Sequence, residues 1–538
     1  MKTLHRNILI IVAAVIVVIG IVYGCASTVL SRAATKEVNK MLAYLPEGEA
    51  SCGAIQIRLL GGFTRVNDLR FSYRTDTLPN SAKTQGIDLH IGCVEVDYRP
   101  LQLFKDKRVT VSKISVLSPR VELWMDEEHP ERCLPAFMTD TAMTVPSLPV
   151  EEIMLNALSV EDASLALHST HTHLDVAVNG CSVELQDLGY DSAFHFNDSL
   201  YRFSLAQAAV TLPDASMKMQ TSEISHADQG EVHIGASRIV HNMPKTALGD
   251  RVQEPVTWID MHLKSATLSP LNPIRKALRK DLSVDHIEAE VSFMDIFRDE
   301  RYKLKHATVM PQRVLMELPV VFQVKDIKAK LDRIHIGFDV KDDFVGHLDL
   351  GHIHTYVSHV TNRRGATMQL SGHCPMGTGE VQALFEMTMN DACDFHIHLK
   401  GKGINTSFLD GFMRPFTGIT TDCMIDSLAA DYRGNHLRAD GAFRMAYHGF
   451  SIKVHKEDTI PFEIITKNAG TINNLGNTLI PHSNPMNKHS QPLAYQVTWK
   501  RDEHKPVELY LFGPIIDGIK KTFLPGLYVH LRTKEVND

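Results

Sequence analysis

From Ser51 to Met125 apolar residues recur at every second position, and this alternation constrains the fold more than anything else in the chain. Ile55, Ile57 and Leu59 are followed, after Gly61-Gly62, by Leu69, Phe71 and Tyr73. Ile87, Leu89 and Ile91 come next, then a second phase at Val94, Val96 and Tyr98, then Val109, Val111, Val121 and Leu123. A period of two gives one apolar and one polar sheet face, and no helical period runs through the stretch. It predicts four or five consecutive strands. The pattern continues from Pro146 to Asp342, for example at Leu158, Val160, Leu165, Leu167, Leu174, Val176 and Val178. Val178-Asn179-Gly180 and Ala227-Asp228-Gln229-Gly230 read as turns between these strands. The segment 126–150, with Pro130, Pro135, Pro146 and Pro149, reads as a loop or crossover. Asn272 to Leu278, with Pro273 at the first helical position, predicts a short helix.

The amino-terminal end predicts where such a sheet resides. After a short basic leader no residue from Ile8 to Leu30 is charged. That length crosses a bilayer as a helix and exceeds the apolar core of a cleaved signal. The reading is an uncleaved anchor with the body outside the cytoplasm. Val22-Tyr23-Gly24-Cys25 leaves a lipoprotein signal as the alternative. Ser31 to Leu45 reads as a continuing helix capped by Ser31, with a stripe at Ala34, Val38, Met41 and Leu42.

Composition fits a non-catalytic, exported body. The chain has 538 residues and a net charge of −7, without the basic stripe that nucleic-acid binding requires. Eight cysteines are widely spaced with no CxxC, so no zinc site or dense disulfide framework is indicated. Cys52 and Cys93 read as candidates for neighbouring strands. The pairs His171/His173, His352/His354 and His396/His398 would each share a face, but two imidazoles without a third ligand do not make a metal site. Asp422 and Asp426 share a face of a predicted strand, and a solvated surface accounts for them. No nucleophile, metal or nucleotide motif stands in its required context. No catalytic residue, metal or cofactor is expected.

Several segments together resemble the amino-terminal module of the AsmA family, with TamB and the bridge-like lipid transfer proteins as wider relatives. They are the anchor, Leu59-Leu60-Gly61-Gly62-Phe63, Val66 to Phe71, Pro100 to Lys107, and Ile114 to Leu123. Residues 366 to 454, including Gly377-Thr378-Gly379-Glu380, Phe395 to Gly401 and Met445 to Val454, resemble the family's carboxy-terminal region. The resemblance implies phospholipid movement between the inner and outer membranes of a Gram-negative cell, in support of outer-membrane biogenesis.

A weak internal repeat accompanies this. Gly230-Glu231-Val232 and Gly379-Glu380-Val381 each begin a strand, His262-Leu263-Lys264 and His398-Leu399-Lys400 each end one, and a helix follows each time, the second at Ser407 to Met413. Residues 466–494 read as a polar linker. Ile515, Ile516, Ile519 and Phe523 fall on one face of a terminal helix that Pro514 is expected to break in two.

The expected fold is mostly β: an elongated, curled, antiparallel-rich sheet forming an apolar groove, with a transmembrane helix and a few short helices. The expected divisions are an anchor (1–30), a connecting helix (31–48), an amino-terminal β module (49–125), a middle groove region (126–365), a carboxy-terminal β module (366–465), a linker and strand (466–506) and a terminal helix and tail (507–538). Ile55, Ile57, Leu59, Leu69, Phe71, Tyr73, Val94 and Val96 are expected to line the groove. The expected function is that of a single-pass inner-membrane protein whose periplasmic body shields phospholipid acyl chains. The expected partners are phospholipid, the inner membrane, and the outer membrane or an envelope protein, with no nucleic acid. The second reading is an assembly or scaffolding factor that holds another envelope protein through its sheet edge or terminal helix. An enzyme is the reading with least support.

Overall fold

The structure, a computed structural model, describes residues 26–524 except 46, 59–60, 76–84, 100–107, 126–134, 136–151, 170–173, 191–193, 196–200, 213–216, 228–229, 271–280, 319–320, 340–344, 456–473, 475, 479 and 487–489. The chain is mostly β and divides into two compact units, Met1–Gln229 and Gly230–Asp538.

The first unit is built on long strands: β1 (Glu49–Ser51), β2 (Ala54–Arg58), β3 (Phe63–Thr75), β4 (Gln85–Tyr98), β5 (Arg108–Met125), β6 (Glu152–Ser169) and β7 (Asp175–Tyr190). The short strands β8 (Phe194–His195), β9 (Tyr201–Leu205), β10 (Gln207–Thr211), β11 (Met217–Thr221) and β12 (Ile224–Ala227) follow. β3 to β7 pair in sequence order, antiparallel except for the parallel pair β5–β6. β1 and β2 lie end to end along β3, and β10 and β9 lie end to end along β7. The 18 residues of β5 span roughly 60 Å at ~3.3 Å each.

One row of residues interrupts each of the long strands β3 to β7. Asp68 of β3 has φ 52°, Ser118 of β5 φ 47°, Asp162 of β6 φ 54° and Gly180 of β7 φ 62°. Pairing steps over the row in unison, from Asn67↔Cys93 to Leu69↔Ile91 and from Cys93↔Leu117 to Ile91↔Pro119. The outer strands break at the same row. Gly53 N–H, between β1 and β2, donates to the carbonyls of Asn67 and Asp68, and Ala206 N–H, between β9 and β10, donates to those of Asn179 and Gly180. An extra residue in a strand turns every later side chain to the opposite face. The apolar pattern changes phase at the same point: Val66 then Leu69 in β3, Ile91 then Val94 in β4, Val116 then Val121 in β5, Val160 then Leu165 in β6, Val178 then Val183 in β7. The two shifts cancel, so the apolar residues stay on one face. Val178-Asn179-Gly180 is therefore not a turn; it lies within β7 at this row.

A helix over residues 26–42 seals the outer edge of β2. Ser31, Thr35 and Asn39, four residues apart, share one helix face. Ile57 N–H donates to Ser31 Oγ at 2.9 Å, Ile55 N–H to Thr35 Oγ1 at 2.9 Å, and Cys52 N–H to Asn39 Oδ1 at 2.8 Å. Asn39 Nδ2 returns a bond to the Cys52 carbonyl at 2.8 Å. Ser31 thus stands inside the helix and is not its cap, and Met41, expected on the apolar stripe, is 69% exposed. Among the described residues no helix is long and apolar enough to cross a membrane. Residues 8–25, most of the predicted anchor, lie outside the described residues.

The second unit contains β13 (Glu231–Ile234), β14 (Ser237–His241), β15 (Val256–Ser269), β16 (Asp281–Asp299), β17 (Val321–Asp339), β18 (Val345–Thr361), β19 (Thr367–Met376), β20 (Gly379–Thr388), β21 (Phe395–Asn405), β22 (Ile419–Gly434), β23 (Arg438–Val454), β24 (Ser483–Asn484) and β25 (Ala494–Lys500). β15 to β23 pair in order, and β16–β17 is parallel. The same phase change recurs: His352 and His359 of β18 have φ 52° and 57°, and its apolar residues run Leu348, Leu350, then Ile353, Val357, then Val360. Glu231 and Gly379 do begin strands, but His262 to Lys264 and His398 to Lys400 lie in the middle of β15 and β21. The helix expected at 272–278 lies outside the described residues; that at Ser407 to Met413 is a 3-10 turn, Thr406–Leu409, leading into a helix, Asp410–Thr417.

The main core lies at the carboxy-terminal end of this unit. The terminal helix, Val507–Phe523, packs on β21, β22, β23 and β25 around Tyr432, Phe443, Met445, Tyr447 and Val497, all at most 1% exposed. Two glycines set the approach: a Cβ on Gly513 would fall 2.4 Å from the Trp499 ring and one on Gly518 2.1 Å from that of Phe443. Pro514 does not divide the helix, which runs through it. Proline in a helix interior costs about 3 kcal/mol, and burial of Pro514 and its neighbours against the sheet offsets that.

Candidate functional site

The apolar face of the first unit is the candidate site, and it is built from rows of residues opposite one another. Ile55 pairs with Val66 and Val66 with Val94; Ile57 pairs with Thr64 and Thr64 with Val96. Beyond the left-handed row Leu69 faces Ile91, Phe71 faces Leu89 and Tyr73 faces Ile87. The rows continue through Val116, Val160 and Val183, and through Val121, Leu165 and Val178. Seven of the eight residues expected to line a groove thus come together on one face; Leu59 lies outside the described residues.

Most of these residues are only half-buried. The fully buried apolar side chains described in this unit are Cys52, Ile55, Phe71 and Ile87, with Pro119 and Pro135. Ile55 sits beside the edge helix, and Gly48 lies over the Phe71 ring, so those two are held within the fold. Leu69, Tyr73, Val94 and Val96 keep partial exposure. No cluster of fully buried apolar residues like that around Tyr432 occurs among the described residues of this unit.

The opposite face is charged. Arg65 pairs with Glu95, Arg74 with Asp88, and Asp68 accepts from Arg70 at 3.0 Å and meets His90 at 2.7 Å. These two bonds hold the Asp68 carboxyl below the usual carboxylate range. A cleft of about 830 Å³ on this unit takes its charged and titratable lining from Arg70, His90, Arg120, Glu49, Asp88 and Glu122. Pairs as exposed as these are screened by solvent and add little to stability. Their effect is to mark one face as wet, which fixes which way the sheet presents its apolar rows.

In the second unit the apolar rows Ile259–Ile296–Ile336–Leu348 and Met261–Met294–Ile334–Leu350 continue the pattern. Its carboxy-terminal strands are closed over by the terminal helix. Ile515, Ile519 and Phe523 pack into that core and dock the helix on the sheet, while Ile516 is half-buried and lies outside that cluster.

The remaining sequence candidates do not converge on chemistry. His396 and His398 both meet Asp431, at 3.0 and 3.1 Å, and His352 is a left-handed residue; His171 and His173 lie outside the described residues. No group of three possible metal ligands occurs among the described residues. The pairing of β22 with β23 shifts between Asp422 and Met424 and again before Ser427, so Asp422 and Asp426 are not a regular same-face pair; Asp426 meets His448 at 3.0 Å. Cys52 and Cys93 are separated by β3 and, with Cys181, Cys374, Cys393 and Cys423, are free thiols. Comparison with protein-family models, curated proteins and solved structures finds no match to this chain.

Proposed function

We propose that the chain shields lipid acyl chains along the apolar face of its sheet. The observation that carries this reading is the half-buried apolar face of the first unit, kept on one side across all its long strands by the matched phase change at Asp68, Ser118, Asp162 and Gly180. A surface of this kind gains about 0.8 kcal/mol for each methylene it removes from water, so an acyl chain is held without any specific residue. The charged face opposite stays solvated. The AsmA-like order of segments agrees, and with it the proposal extends to a non-catalytic protein held in the inner membrane by residues 8–30, its body in the periplasm, passing phospholipid toward the outer membrane.

An assembly factor would use a free sheet edge or the terminal helix. The β2 edge is occupied by Ser31, Thr35 and Asn39, and the terminal helix is packed on its own sheet. Both observations favour the lipid reading.

Mass spectrometry of gently purified full-length protein tests it: stoichiometric phospholipid is expected. Val94→Asp places a carboxylate on the half-buried face where water reaches it, and is expected to keep a cooperative melting transition while losing bound lipid. Phe71 is unsuitable, because its ring is packed beneath Gly48. Wild-type protein without lipid, or Val94→Asp with the wild-type amount, would overturn the proposal.

A further inference from the structure

In β21 Lys400 follows Leu399, which packs toward the terminal helix, so Lys400 lies on the other face of the sheet. Charges on that face meet counter-charges on neighbouring strands. Lys328 pairs with Glu288 and Lys330 with Glu290, both at 3.5 Å, and His396 and His398 share Asp431 at 3.0 and 3.1 Å.

One row departs from this pattern. The register carries it from Lys330 through His354, His373, Gln382, Lys400 and Ala429 to Arg444. Lys400 stands between Gln382 and Ala429, neither of which is charged, and it meets no acid among the described residues. The nearby carboxylate, Glu380, is taken by Lys402 and by His373, each at 2.8 Å, and these bonds hold it below the usual carboxylate range. His354 stands between Lys330 and His373, an arrangement that sets like charges opposite one another once the imidazoles are protonated.

Two clefts, of about 570 and 260 Å³, lie along this row and share Gln382 and Lys400. The larger adds Ser371 and Tyr356, which is 43% exposed. The smaller adds Lys402, Ser427 and Arg444, the last only 9% exposed. Lys400, Lys402 and Arg444 thus line it against the single carboxylate of Glu380. From His354 to Arg444 the row crosses five strand intervals, roughly 24 Å at ~4.8 Å each.

We infer that the joined clefts bind an acidic glycan, a chain of sugars bearing carboxylates, laid across the strands. Lys400 supplies the charge that has no acid beside it, and Lys402 and Arg444 extend the positive field along the chain. Gln382, Ser371 and Ser427 both donate and accept, as sugar hydroxyls do. The exposed Tyr356 ring offers an apolar face with a polar edge, matching a sugar ring. The length of the row suits a chain better than a single ion. Each strand from β18 to β22 is paired on both sides, so no open edge is offered to a peptide strand. The site lies on the face away from the terminal helix and does not depend on the lipid reading.

Full-length protein is titrated calorimetrically at constant ionic strength with oligogalacturonate, with uncharged maltooligosaccharide and with oligoglutamate. Saturable binding is expected for oligogalacturonate, with the other two much weaker. Lys400→Gln is expected to weaken it about tenfold, the loss of one charge-assisted bond. Its melting temperature should not change, because the Lys400 side chain bonds nothing among the described residues. Lys303→Gln makes the same charge change at an exposed position outside both clefts and should leave binding as it is. The inference is overturned by the absence of saturable oligogalacturonate binding, by equal affinity for either comparison oligomer, or by a Lys400→Gln variant that binds as wild type or no worse than Lys303→Gln.

Discussion

The backbone N–H of Ile55 donates to the Thr35 hydroxyl at 2.9 Å, so a helix side chain stands where the next strand of a sheet would otherwise pair. Thr35→Val keeps the shape and removes the acceptor, leaving a part-buried donor unmet at a cost of about 1–3 kcal/mol. Chemical denaturation of full-length protein measures it. Changing Ser31, Thr35 and Asn39 together to alanine, valine and leucine should also open the β2 edge to other chains. Association seen by light scattering is the expected outcome, and a monodisperse triple variant would count against the edge-sealing role.

Gly518 and Gly513 decide whether the terminal helix can dock. Gly518→Val puts side-chain atoms inside the contact with Phe443 and is expected to cost several kcal/mol, in the range of severe overpacking. The loss should appear as a lower melting temperature and reduced near-ultraviolet dichroism from the Tyr432, Tyr447 and Tyr510 cluster. A substitution at the exposed Phe512, 53% accessible, should change neither.

Asp162 holds φ 54° in β6. Asp162→Gly is expected to be tolerated, and Asp162→Val to destabilise by about 1–2 kcal/mol through the left-handed backbone alone. Equal effects of the two substitutions, measured by urea unfolding, would show that the side chain and not the backbone matters there.

Arg238 donates to both carboxylate oxygens of Asp260, at 2.8 and 2.6 Å. That pair holds the Asp260 carboxyl below the usual carboxylate range, against a smaller upward effect of burial. A folded-state pKa below the unfolded value of about 3.9 contributes stability that is complete above that pH and is lost as pH falls through the folded value. Asp260→Asn should therefore lower the melting temperature at neutral pH, and the gap to wild type should narrow below pH of about 4. A constant gap across that range would remove the pair from the account.

Burial, aided by the charges of Asp422 and Asp426, pushes the Cys423 thiol up to about 12. Alkylation at pH 8 is expected to spare Cys423 in folded protein and to modify it only after unfolding, as read by peptide mass spectrometry.

The strands are legible because alternation is local: each of β2 to β5 falls within the stretch whose apolar residues repeat at two, whereas β1, Glu49–Ser51, carries no such repeat. The change of phase at Val94 was visible too, but its cause was not. It depends on Gly92 standing opposite Asp68 and Ser118 in adjacent strands, a relation between distant parts of the chain. Ser31, Thr35 and Asn39 have helical spacing, yet their partners on β2 are set by tertiary packing, which is why Ser31 read as a cap. Pro514 read locally is a helix breaker, whereas the burial that overrides it comes from packing against the sheet. The helix Pro311–Met316 is six residues long, too short for a periodic signal, and Arg501 meets Thr308 across 193 residues of sequence.

The left-handed row also limits how such a chain can change length. A single residue inserted into β4 on one side of Gly92 would reverse that strand's faces beyond the insertion while its neighbours kept theirs. Only a matched insertion in β3 and β5 would restore agreement. Growth and loss of single residues are thus confined to the segments beyond the strand ends, and a scan of one-residue insertions should be tolerated there and nowhere between Ile87 and Val96.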